Sequence, residues 1–476
     1  MNRWIMTRGW MFAAAGVTAA AAAPETAITV YSDDYAAVRE VRSLHLDRGL
    51  NEDVLTGDLP RGVETGSVLL SPLEPERFEV HGMVFRPAAR NGNDLLPHFV
   101  GEQLEFEQRF SEGVRTVKGR LVRAGAEGEP VVETDNRYRF GLPGTPLFPP
   151  APSDGLLRPA MRWTLHAAKS GAAEAELAYL TRGMSWSALY RFESAEDSER
   201  GDFSGWVLVR NQTGSRFEDA QVRLLAGEVH RSADRETRGR RTERVGFSLA
   251  RAAAAAPKVE ERSVDEYHLY RIDTPLTLEE DTERRVPWIR AASVGAKRRY
   301  VYEGPGAGHR YYVHNNESFG TEAPEQVGVV REILNEESNG LGIPLPTGRV
   351  QFYRRDAGDA APVLVGENTI PHIPQGETMR LYTGRAFDLV GERKRTGFDL
   401  DSRARRLDET YVITLRNRKE TPVTIRIREH LVRWPDAEIL SASHEHRRPE
   451  DRLLLFDVSV KPDEEKTVTY TVRYTW

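Results

Sequence analysis

The stretch "TRGMSWSALYRF", Thr181 to Phe192, decides the fold. Within it, Gly183-Met184-Ser185-Trp186-Ser187 falls one residue short of the G-x-S-x-G elbow, in which a sharp strand-to-helix turn presents a nucleophilic serine. Ser187 stands where the second glycine belongs, and the surrounding residues alternate with period two: Trp186, Ala188, Tyr190 and Phe192 on one face, Ser185, Ser187 and Arg191 on the other. The stretch therefore reads as a strand. Gly183 supplies a turn conformation that a Cβ would resist, and Trp186 is the first large side chain the sheet buries.

The same alternation extends in both directions. "SGWVLVRNQTGSRFEDAQVRLLAGEV" adds a strand through Trp206 and Leu208, a turn at Asn211 to Gly214, and a return strand with Ala220, Val222, Leu224 and Ala226 on one side, which makes an antiparallel meander. Near the C-terminus, Tyr411, Ile413 and Leu415 share a face, the chain turns through Asn417 to Pro422, and Val423, Ile425 and Ile427 face inward while Thr424, Arg426 and Arg428 face water. Two further strands align Leu454, Phe456, Val458 and Val460, then Val468, Tyr470, Val472, Tyr474 and Trp476. Long helical periodicity is nearly absent, and no solenoid or propeller repeat is visible.

The expected fold is all-β: several antiparallel β-sandwich or barrel-like domains ending in an immunoglobulin-like sandwich. Residues 1–22 read as a signal peptide, 23–150 as an N-terminal β domain and 151–230 as the central meander. Residues 231–264, which mix charges with an alanine run, read as a flexible linker or loop; 265–403 continue the central domain, and 404–476 form the C-terminal sandwich.

The signal-peptide reading rests on basic Arg3 and Arg8, an alanine-rich apolar middle and small residues up to Ala23. Pro24 disfavours cleavage directly before it, so cleavage is expected after Ala22. The apolar run is shorter than the ~20 residues of a spanning helix, and no transmembrane segment is expected in the mature chain. Losing the two arginines takes the formal charge from −6 to −8, which argues against nucleic acid or an anionic membrane as partner. The 476 residues contain no cysteine, so disulfides, thiolate metal sites and a cysteine nucleophile are excluded. Stability must come from buried cores.

Other motifs carry less chemistry than they first suggest. His444 and His446 in "SASHEHRRPED" could share a strand face and bind a metal, but no third ligand can be named. "EGPGAGH", Glu303 to His309, lacks dinucleotide-fingerprint spacing and reads as a hairpin connection. Asp399 and Asp401 lie two apart, with too few further oxygens at defined offsets for calcium. Asn211-Gln212-Thr213 matches a glycosylation sequon, but the turn accounts for it. No catalytic residue, metal ligand or cofactor is assigned.

Taken together, "YLTRGMSWSALY", "FSGWVLVRNQTGSRFEDAQVRLLAGEVHR", "YHLYRIDTPLTLEE", "NGLGIPLPTGRVQFYRRD", "VGENTIPHIPQGETMRLYTGRAFDL" and "TLRNRKETPVTIRIREHL" resemble the bacterial family called domain of unknown function 4139, also found in mucoidy-inhibitor-A-type proteins. "ITVYSDDYAAVREVRSL" extends the resemblance toward the N-terminus. The positions matching the family signature are Thr181, Gly183, Trp186, Tyr190, Gly205, Trp206, Asn211, Gly214, Ala226 and Gly227. The resemblance implies a secreted, mostly β protein with no catalytic residues to carry over, and the coiled-coil insertion of longer relatives is missing here. The expected role is an exported, non-enzymatic binding or structural protein, periplasmic or extracellular, whose partner is an envelope protein or polysaccharide. Self-association through sheet edges is the variant suggested by a C-terminal strand that ends without a capping tail. A hydrolase on a β-sandwich scaffold is the alternative.

Overall fold

A computed structural model describes residues 25–56, 59–111, 113–125, 128–149, 156–195, 198–227, 259–264 (backbone only), 267–305, 315–321, 323–355 and 361–476. The expected signal peptide and residues 231–258 of the expected linker lie outside the described residues. The rest is built almost wholly of strands in five sheets, and among the described residues none closes into a barrel. The barrel-like alternative is thus set aside, and the all-β sandwich reading stands.

The first sheet interleaves distant parts of the chain. Its order runs Val259–Val264, Tyr267–Ile272, Phe217–Ala226, Thr26–Tyr31, Tyr35–Leu46, Gly171–Arg182 and Leu69–Pro72, with Leu276–Leu278 beside Phe217–Ala226. Strands from both sides of the boundary expected at residue 150 therefore share one hydrogen-bonded layer. The six residues Val259–Val264, expected to be linker, form a hairpin strand against Tyr267–Ile272. A three-stranded sheet, Gly49–Thr56, Ala160–Ala167 and Phe78–Arg86, packs into the same core through Met161, Trp163 and Leu165. Trp163 donates its indole N–H to Thr56 Oγ1 at 2.9 Å, which satisfies its one polar atom.

Between Phe78–Arg86 and Ala160–Ala167, which pair with each other, the chain departs to build a lobe. Its five strands are ordered Thr145–Leu147, Gln103–Phe110, Gly113–Arg123, Val131–Thr134 and Arg137–Phe140 over a small core of Leu96, Leu104, Phe106, Leu121 and Val132.

The central sheet runs Thr282–Gly295, Arg200–Asn211, Met184–Ala195, Gly348–Arg355 and Val363–Ile370. The expected meander is present, with Met184 to Ser194 antiparallel to Gly201 to Asn211, but Ala188–Ala195 pairs in parallel with Gly348–Arg355. Parallel pairs also join Thr26–Tyr31 to Phe217–Ala226 and Lys297–Glu303 to Val423–His430, so the sheets are mixed and not purely antiparallel.

The C-terminal sheet has nine strands and starts well before residue 404. Its order is Asp436–Ala442, Glu465–Thr475, Arg406–Asn417, Thr378–Asp401, Gln326–Leu334, Lys297–Glu303, Val423–His430, Leu453–Val460 and Arg447–Glu450. Both halves face one core, in which Tyr470 contacts the rings of Tyr411 and Phe456. The last strand pairs along its length with Arg406–Asn417, and its end, Tyr470 to Thr475, also pairs with Asp436–Ala442. The 24-residue strand Thr378–Asp401 serves two cores: Met379 and Leu381 enter the central one, and Leu389 enters the C-terminal one. Between these halves the pairing register shifts, and Phe387 is 97% exposed.

Candidate functional site

The signature residues fall into two groups, each holding a different segment in place. Gly183 has φ +88, and a Cβ there would lie 2.7 Å from the Gln212 carbonyl oxygen, so both backbone shape and close approach require glycine. The Gln212 amide donates to Gly183 O at 2.6 Å and fastens the turn. Asn211, 1% exposed, caps that turn: its amide donates to the carbonyls of Ser215 (2.8 Å), Leu278 (3.2 Å) and Glu279 (3.0 Å), while its oxygen accepts from Thr213 N and Oγ1. With these bonds made and the side chain buried, the sequon is no acceptor in the folded chain. The turn in turn supports the segment from Leu59 to Thr65. The Arg61 amide donates to Thr213 O, the Arg182 amide donates to Gly62 O, Thr181 bridges to Val63, and Gly214 leaves room for the Arg61 stem.

The second group is aromatic. Trp186 is buried and donates its indole N–H to Leu225 O at 3.0 Å. Its ring contacts Tyr270, Tyr270 contacts Trp288, Trp288 contacts Tyr190, and Tyr190 stacks on Phe203. This chain crosses from the first sheet to the central sheet. The Tyr270 hydroxyl donates to Pro344 O and the Tyr190 hydroxyl to Pro346 O, so the pair grips the "GIPLP" segment. Burial pushes the Tyr190 hydroxyl well above its ordinary range, and it remains a donor. Gly205 lies opposite Tyr190 in the ladder, Trp206 is half-buried with the Arg285 guanidinium near its ring, and Ala226 and Gly227 end the strand beside Tyr267. None of these side chains lines the cleft that lies next to the first group.

An open space does exist next to the first group. Between the lobe and the body lies a cleft of about 1580 Å³, lined from the body by Arg61, Val63, Phe85 and Arg86 and from the lobe side by Arg90, Asn93, Asp94, His98, Glu129 and Pro130. Asp94 accepts from the Arg90 amide at 2.8 Å. Burial, with Arg162 nearby, lowers the Arg86 pKa from its ordinary value. The signature turn therefore reaches the cleft indirectly, by setting the loop that carries Arg61 and Val63.

The remaining sequence candidates stay apart. Ser185 sits within the strand Met184–Ala195, paired with Arg210, and no helix follows it as an elbow requires. His444 Nδ1 lies 2.9 Å from Ser443 Oγ, and His446 contacts the Phe456 ring. Among the described residues no group of three potential metal ligands occurs. Asp401 accepts from the amides of Arg403 and Ala404 and forms a hairpin turn, while Asp399 pairs with Asp408 in the ladder. Of the glycine-rich segment, Gly304 packs directly against the Glu429 carboxylate, and residues 306–309 lie outside the described residues.

Two polar devices were not foreseen. Asn417 repeats the Asn211 corner except for the hydroxyl bond, which Lys419 has no group to make: its amide donates to Thr421, Val460 and Lys461 carbonyls and its oxygen accepts from the Lys419 amide. The shared signal is Arg-Asn at a strand end, leading into a polar turn. The second device is ionic. Arg393 and Glu429, with side chains 2% and 0% exposed, pair at 2.9 Å, and Arg433 holds Glu409 through two bonds of 2.8 and 2.9 Å. Arg393 also donates to Gly320 O, and Arg433 to the carbonyls of Asn316 and Phe319, so the cluster clamps the segment 316–320 onto the sandwich. The Tyr470 hydroxyl donates to Glu429; burial and then that carboxylate push it well above its ordinary range.

No curated protein matches the chain. A family model does, over residues 175–476, more than half of the sequence. That span contains the signature turn, the aromatic grip on the proline segment, both asparagine corners and the ionic cluster, and through it the chain belongs to the family described as Domain of unknown function (DUF4139).

Proposed function

We propose that the protein is an exported, non-enzymatic binding component of the bacterial cell envelope or extracellular space, and that the cleft between lobe and body receives a polysaccharide chain. The observation that carries this reading is the size and lining of the cleft. About 1580 Å³ exceeds the range of roughly 300–1,000 Å³ usual for small-molecule pockets. Phe85 and the lining prolines 87, 97, 130 and 159 offer flat apolar faces to sugar rings, while Arg61, Arg90, Asn93 and Glu129 offer donors and acceptors for hydroxyl groups. The leader-like N-terminus supports export.

A hydrolase is the second reading, because Asp94 and Glu129 both line the same cleft. Affinity electrophoresis of the purified protein through gels containing envelope polysaccharide fractions separates the two. Binding is expected to retard migration, to weaken in Arg61→Ala and Arg90→Ala, and to leave the polymer length unchanged. Shortened polymer that disappears with Glu129→Gln establishes the hydrolase, and migration that is unaltered by every fraction overturns the binding role.

A further inference from the structure

Sheet edges across the molecule are guarded. Leu69–Pro72, Thr145–Leu147, Thr282–Gly295 and Arg447–Glu450 contain Pro72, Pro146, Pro287 and Pro449, which cannot extend a ladder. Gly49–Thr56, Phe78–Arg86, Leu276–Leu278, Val363–Ile370 and Asp436–Ala442 lie at register shifts. Among the edge strands whose side chains are described, Arg137–Phe140 of the lobe has neither device.

Its geometry is set by the hairpin that makes it. Asp135 and Asn136, with φ of 48° and 60°, form a two-residue turn of the kind that leaves the flanking residues, Thr134 and Arg137, as a hydrogen-bonded pair. Alternation along the ladder then turns the amides and carbonyls of Tyr138 and Phe140 outward, and the Gly141 amide bonded to Pro130 O keeps that phase. Tyr138 and Phe140 are 68% and 66% exposed on one face of the sheet. Arg137 and Arg139 project from the opposite face, both exposed, and among the described residues neither has a carboxylate partner.

We propose that Arg137–Phe140 is a docking edge for an extended segment of a partner protein in which acidic and apolar residues alternate. Such a strand adds to the lobe sheet through the outward groups of Tyr138 and Phe140. Its acidic side chains fall beside Arg137 and Arg139, and its apolar ones beside the two aromatic rings. This edge is separate from the polysaccharide cleft, and its test does not involve that ligand.

The probe is a synthetic eight-residue peptide alternating Glu with Val or Tyr, compared with an isomer whose glutamates are contiguous. Binding is followed by fluorescence anisotropy, and hydrogen exchange reports the Tyr138 and Phe140 amides. The alternating peptide is expected to bind and to slow exchange at those two amides. Arg139→Glu is expected to weaken binding about ten-fold or more, because attraction becomes repulsion. Tyr138→Pro removes an outward donor and leaves the inward ladder bonds intact, and it should abolish the exchange protection. The proposal is overturned if both isomers bind equally, if neither binds at millimolar concentration, or if the edge is instead occupied by a second copy, seen as a concentration-dependent dimer that Tyr138→Pro dissolves.

Discussion

In the central body, four neutral groups tie loops to strands: the Asn211 amide, the Tyr190 and Tyr270 hydroxyls and the Trp186 indole each donate to a backbone carbonyl. In the C-terminal sandwich, the corresponding task falls to Arg393, Arg433, Glu409 and Glu429, all nearly free of solvent contact. A neutral donor lost from the first set leaves one to three acceptors short of a partner. A charge lost from the second leaves its opposite buried and uncompensated, which costs far more. The two regions thus have similar hydrogen-bond geometry and different tolerance of single changes.

The largest expected effect tests that difference directly. Glu429→Gln keeps the shape but strips Arg393 of its counter-charge, and should destabilise the chain by about 3–5 kcal/mol in urea unfolding. The paired replacement Arg393→Met with Glu429→Leu removes both ions together and should be less damaging than Glu429→Gln alone. A double variant as unstable as the single would show that the clamp on segment 316–320, and not charge compensation, dominates.

Next comes the corner that both regions share. Asn211→Ala and Asn417→Ala each leave three carbonyls without their donor, and each should cost about 1–3 kcal/mol. Asn→Asp at either position should be worse than Ala, since a carboxylate oxygen would then face those same carbonyls. Equal losses at the two sites would mark the corner as independent of its neighbourhood.

These corners also show how far the residues could be read unaided. Alternation located the strands around Trp186 and Tyr411 because one face of each meets a core, and a period of two survives any tertiary arrangement. Partnership between sheets was hidden, because nothing local in "ITVYS" says that it pairs with Phe217–Ala226 almost two hundred residues later. The ionic cluster was legible in part. Glu429 continues the inward phase of Val423, Ile425 and Ile427, and Glu409 shares the phase of Tyr411, Ile413 and Leu415. A carboxylate in step with apolar neighbours signals a buried partner, although its identity depends on strand order. The cleft was not legible, since it arises where a lobe inserted in one hairpin meets a loop held by a turn far along the chain.

Smaller effects probe the neutral set. Tyr190→Phe and Tyr270→Phe should each cost about 0.5–1.5 kcal/mol, measured by denaturant midpoints. Both hydroxyls hold the same proline segment, so the double variant should cost less than the two singles combined. Full additivity would separate the two contacts and weaken the idea of a single aromatic grip.

The smallest expected effect contrasts the buried ions with a solvated pair in the same sandwich. Asp408 accepts two bonds from Arg473, at 2.8 and 2.7 Å, and these bonds hold its carboxyl below the ordinary value of 3.8. Because the folded pKa lies below the unfolded one, the pair's contribution is fully present above about pH 4 to 5 and is lost as pH falls through the folded value. Asp408→Asn should therefore reduce stability at pH 7 by only about 0.2–1 kcal/mol, the range for pairs open to solvent. It should also flatten the acid side of the stability profile below pH 4, and added salt should erase part of the difference at pH 7. The Glu429→Gln loss, being screened by protein and not by solvent, should persist at the same salt concentration; if both variants respond to salt alike, the buried and solvated pairs are not physically distinct.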